Sequence, residues 1–142
     1  MASLLFAGLL ATSFAHAAED DRRVPVNMPD MMKTHMRANM RDHLLAMREI
    51  QNALADGKYD VAAEIAEQRL GMSTLESHEA RHMAACMPKG MQDTGTAMHR
   101  AASRFAMTAQ DATVTRDLPR ALGALSGVTA QCVACHAGYR LQ

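Results

Sequence analysis

Cys132-Val-Ala-Cys135-His136 is the segment of this 142-residue chain whose residue types and spacing carry the most specific chemistry. Two thiols three residues apart lie on one face of a helix, so both can reach the two vinyl groups on one porphyrin edge and close thioether bonds. The histidine directly after the second thiol is then held beneath the iron as its proximal ligand. Two other readings compete, a dithiol redox pair and half of a zinc site. A redox pair should follow a strand and open a helix, whereas this motif lies late in a helical stripe. A structural zinc site wants a second ligand pair at matching spacing, which the nearby sequence lacks. The spacing therefore points to one covalently attached haem c.

His78, His82 and Cys86 form a second constellation. Steps of four along a helix rotate about 40° each, so the three would stay within an arc of roughly 80°. Met83, Met87 and Met91 accompany them, with Met72 and the His35/Met36 turn on other segments. Imidazole, thiolate and thioether together suit copper better than a hard cation. Cys86 also has no partner once Cys132 and Cys135 hold haem, and ligation would protect its thiolate in an oxidising compartment. The plainer reading is an ordinary helix surface, interrupted by Glu79 and Arg81, with Cys86 as a small buried apolar residue.

The elements that must position these groups read as helices. Met36, Met40, His43, Met47, Ile50 and Leu54 recur at spacings of four and three, an apolar seam running from Asp30 to a stop at Asp56-Gly57. Asp60 caps a second helix with Val61, Ile65 and Leu70, broken at Gly71, and Ser73-Thr-Leu-Glu76 has the capping-box form for a restart running to Cys86. After a turn at Pro88-Lys89-Gly90, a third helix keeps the rhythm from Met91 through Gly95, Met98, Ala102 and Phe105 to Ala112. The last helix opens near Thr115 or Asp117 with Pro119 in its first turn, and Leu118, Leu122, Leu125, Thr129, Cys132, His136 and Tyr139 form one stripe. Beside it runs a row of small residues, Gly123, Gly127, Ala130 and Ala134. No segment shows period-two alternation. Four amphipathic helices joined by short turns predict an all-α, antiparallel four-helix bundle over residues 30–142.

Composition agrees. With 13 Met, three Phe, two Tyr and no Trp, the core must be built from Leu, Ala, Val and Met, which favours helices over strands. Residues 1–17 form a short apolar run ending in Ala15-His16-Ala17, a secretory signal peptide by pattern, followed by a flexible leader at 18–29. That places the mature protein in the periplasm, with no membrane segment after cleavage. Fifteen Lys plus Arg balance fifteen Asp plus Glu without charge blocks, which speaks against nucleic acid. No nucleophile, paired carboxylates or phosphate loop appears, so an enzyme is not expected.

Cys132-Val-Ala-Cys135-His136-Ala-Gly-Tyr139-Arg140, near the end of a four-helix chain, resembles the class II c-type cytochromes, the cytochrome c′ family. The Gly57-Lys-Tyr59-Asp60 link is similar to that family as well. The resemblance implies haem between the helices, packed mainly against the first and last, and redox proteins as partners, with a homodimer plausible by analogy. It implies that Arg140, four residues after His136, pairs with a haem propionate, although a solvated cation at a helix C-terminus is an equal alternative. It also implies that the first helix supplies the residue facing the iron. Counting from the Gly57-Lys-Tyr link along the seam gives Met40, with Met36, Arg41 and His43 as competitors. Met40 as sixth ligand implies an electron carrier; a non-ligating residue implies a five-coordinate, gas-binding protein. Copper on His78, His82 and Cys86 would make it a copper-binding haem protein instead.

Overall fold

The computed structural model describes residues 21–76 and 78–142, with the side chains of 76–81 left aside. The signal-peptide expectation for residues 1–17 thus lies outside the described residues. The protein is all-α in class, mostly helical, with five helices packed against one another.

Helix α1 spans Asp30–Ala55 and buries Met36, Ile50 and Leu54 of its predicted seam, together with Ala46 and Ala53, while Met40, His43 and Met47 are half-buried. Asp30 sits in its first turn, where a carboxylate opposes the positive end of the helix dipole, and pairs with Lys33 at 2.8 Å. The chain leaves α1 through Gly57, whose φ of +69° is a conformation that glycine adopts without strain. Helix α2, Tyr59–Leu70, stops at Gly71 as expected. There is no room for a side chain at that point, since a β-carbon on Gly71 would lie 2.6 Å from the Glu67 carbonyl oxygen.

The expected helical restart at Ser73 takes a different form. Met72–Glu76 is a 3-10 turn, and helix α3 is confined to His78–Ala85. Ser73 does not cap a new helix because its hydroxyl donates to the Glu67 carbonyl at 2.9 Å, satisfying the open end of α2. Helix α4, Lys89–Thr115, buries Met91, Met98, Ala102, Phe105, Ala109 and Ala112. It ends at Arg116, which takes left-handed φ of 58° and lays its guanidinium over the Tyr59 ring at 5.8 Å. Helix α5, Leu118–Gly138, begins where Asp117 accepts from the Arg120 N–H at 3.0 Å, with Pro119 in the first turn. Its packed face is Ala121, Leu125 and Val128, one step off the stripe read from the sequence, and Leu122 is exposed. The row Gly123, Gly127, Ala130 and Ala134 is exposed too.

Two corrections concern the chain ends. Val24–Val26, read as part of a flexible leader, is a strand, β1, paired in parallel with β2, Tyr139–Leu141. Val26 and Met28 are buried, so this segment is packed down on the domain. Strands of three residues are too short to show alternation, which is why the sequence does not announce them. The last helix therefore ends at Gly138, and Arg140 stands in β2 opposite Pro25, not on a helical face with His136.

The most extensive helix contacts are α1 on α2, α2 on α4, and α4 on α5. They enclose a main core of Ala, Leu and Ile around Phe105. A second cluster of different chemistry gathers Val26, Met28, Met36, Met83 and Met91, with Met32, Met40, Met87, Cys86, Cys135 and Tyr139 against it. Among the described residues, no helix is long and apolar enough to cross a membrane.

Candidate functional site

The methionine cluster borders a cavity of about 650 Å³, within the range of small-molecule and cofactor pockets. Helix α1 contributes Met36, Met40 and His43 to its wall, α4 contributes Met91, Met98 and His99, and Met83 and Met87 come from the α3 segment. The last turn of α5 contributes Cys135 and His136, and β2 contributes Tyr139 and Arg140. The helix ends explain this grouping. The N-terminal halves of α1 and α4 lie beside the C-terminal end of α5, so a motif at the end of the chain meets residues from its beginning.

Cys132 stands one helical turn before Cys135. It packs against the main core and its thiol donates to the Val128 carbonyl at 3.5 Å. Burial pushes both thiols above the usual cysteine value, an effect that the proximity of Cys132 reinforces at Cys135. A dithiol redox pair needs the opposite shift, because the thiolate is the nucleophile. His136 is exposed, at the lip of the cavity.

The cavity has a basic rim. Arg23 and Arg140 both line it, joined by Asp21, which bonds the Arg23 guanidinium at 2.8 and 2.9 Å. Arg23 holds the Asp21 carboxyl down at about 2. Arg140 Nε lies 3.5 Å from the same carboxylate, an ionic contact without hydrogen-bond alignment, and this buried nitrogen has no hydrogen-bond partner. The rim thus retains one buried donor without a hydrogen bond among the described residues.

Deeper in, the wall turns polar. His99 Nδ1 bonds the Leu70 carbonyl at 2.8 Å and lies 3.2 Å from Thr74 Oγ1, whose hydroxyl donates to the Gly71 carbonyl. The His43 ring meets the His99 ring edge-on, with centroids 6.1 Å apart at 87°. Burial lowers the pKa of both imidazoles, and the nearby His99 lowers that of His43 further. Beside them Arg69 is held by Asp42 and Glu49.

Of the residues singled out in the sequence, the structure brings together Met40, Cys135, His136 and Arg140 on one cavity, with Cys132 one turn away. The second constellation is not gathered in the same way. Helix α3 ends at Ala85, so Cys86 falls outside the expected helical arc and packs among the methionines, whereas His82 is exposed. The His78 side chain lies outside the described residues. Among the described residues there is no group of three or more His, Cys, Asp or Glu arranged to hold a metal ion. Sequence reasoning missed Arg23 and His99. Arg23 gives no local signal, but His99 does: it stands four residues after Gly95 of the α4 seam, on the face that meets α1. No family model, no curated protein and no solved structure matches this chain.

Proposed function

We propose that this chain is an exported mono-haem c-type cytochrome that carries electrons, built on an antiparallel four-helix bundle of α1, α2, α4 and α5. One observation carries the reading: the cavity of about 650 Å³ whose wall holds Cys135 and His136 of the attachment motif together with six methionines. The residues fit the group chemically. Cys132 and Cys135 supply the two thiols, His136 the proximal imidazole, and Arg23 with Arg140 a basic rim for two propionates. Bound haem supplies reversible one-electron iron chemistry.

The chain's own part is positioning and exclusion of water. Met36, Met83, Met87 and Met91 form a polarizable, adaptable lining that can close on a flat ring from several sides. The facing wall carries thioether and imidazole donors, Met40 and the pair His43 and His99, so a sixth ligand is within the same cavity. If one of these side chains completed the coordination of a bound haem, electron transfer would be favoured over capture of small gases.

The test is the spectrum of purified protein matured in cells able to attach haem, oxidised and reduced, with and without carbon monoxide. A low-spin spectrum insensitive to carbon monoxide is expected. A high-spin spectrum that shifts with carbon monoxide would turn the reading to gas binding, and absence of haem would remove it.

A further inference from the structure

The polar inner wall of the cavity names its own metal donor. The Leu70 carbonyl can only accept, so the 2.8 Å contact requires the proton of His99 to sit on Nδ1. Thr74 Oγ1 accepts from the same N–H, because its own proton goes to the Gly71 carbonyl. A neutral imidazole protonated at Nδ1 has its lone pair on Nε2, and the ring lies on the cavity wall. A ring nitrogen fixed by a backbone carbonyl while the other is left for a metal is the arrangement that orients metal-bound histidines.

Two donors on the same wall, Met40 and His43, are less prepared. Met40 is a half-buried thioether on a long, flexible side chain. His43 braces His99 through its edge-on ring contact, but no hydrogen bond fixes which of its nitrogens is free. Among the described residues no three His, Cys, Asp or Glu side chains gather to hold a free ion. A haem iron held by porphyrin and His136 would need one donor more, and His99 is an imidazole on that wall whose Nδ1 is already committed to the backbone.

We infer that His99, from α4, is the sixth ligand to the haem iron, in place of the methionine on α1 that the sequence suggests. The inference rests on the haem reading above. It makes the iron bis-imidazole, with a lower reduction potential than methionine ligation would give.

The experiment uses haem-loaded wild type, Met40→Ala, His99→Ala and His99→Gln, each checked for covalent haem by denaturing-gel haem stain and then measured by absorption and electron paramagnetic resonance. Wild type and Met40→Ala should be low-spin. His99→Ala should become high-spin, bind carbon monoxide when reduced, and return to low-spin on addition of free imidazole. His99→Gln keeps a side-chain N–H for the Leu70 carbonyl, so it should retain the fold and also lose the low-spin signal. A low-spin His99→Gln, or a Met40→Ala that turns high-spin, would overturn the assignment. Lack of stain in every protein would instead overturn the haem reading itself, and the assignment with it.

Discussion

The Tyr139 hydroxyl lies directly over the α-carbon of Gly90, so that a β-carbon at position 90 would collide with it. Tyr139 is the first residue of β2, three positions after His136, and Gly90 stands in the first turn of α4. The glycine is thus the seat on which the tail behind the attachment motif rests. Gly90 is exposed and the hydroxyl is the far end of a side chain that can shift, so Gly90→Ala should destabilise the protein by about 1 kcal/mol, the low end for overpacking. Hydrogen exchange should show the loss first at Tyr139–Leu141 and at the paired Val24–Val26. Unchanged protection there would mean the tail is held by other contacts.

Phe105 is the largest side chain with no exposed surface, at the centre of the main core. Its neighbours are mostly alanines on rigid helices, which collapse poorly into a void. Phe105→Ala is expected to cost about 3–5 kcal/mol in denaturant unfolding, with the slope of the transition unchanged. A loss under 1 kcal/mol would place the centre of the core elsewhere.

Much of this was legible beforehand. The α1 and α4 seams, the stops at Gly57 and Gly71, and the Asp117 start of α5 all follow from short-range rules, and the helices obey them. The failures share one cause, which is that a local pattern was overridden by a distant partner. Ser73 reads as a cap but serves the end of α2. Tyr139 and Arg140 read as helix but are drawn into a strand by Val24 and Pro25, more than a hundred residues earlier. Cys86 reads as a ligand on a helical arc, but the helix stops one residue before it. At the candidate site, the motif itself was plain in the sequence. Arg23 and His99 were not, because their relation to it exists only once distant segments of the chain meet around the cavity.

Glu67 offers a test by acid. The Ser103 hydroxyl, and after it the backbone N–H of Ser73, hold its carboxyl below the ordinary 4.5. The folded value lies below the unfolded one, so the stability these bonds contribute is complete above 4.5 and is lost as pH falls through the lowered folded value. Glu67 is largely solvated, and the effect is correspondingly modest. Thermal melts of wild type should fall faster than those of Glu67→Gln on acidification below 4.5, and parallel curves would show that the carboxylate contributes nothing.

The central claim is covalent haem on Cys132 and Cys135, and intact mass after denaturation addresses it most directly. Protein produced with an active haem-attachment system, then unfolded in acid and organic solvent, should keep the mass of one haem. The Cys132→Ser, Cys135→Ser double variant should carry none. Wild-type protein that loses all haem under these conditions, or shows only the mass of its polypeptide, would contradict the account.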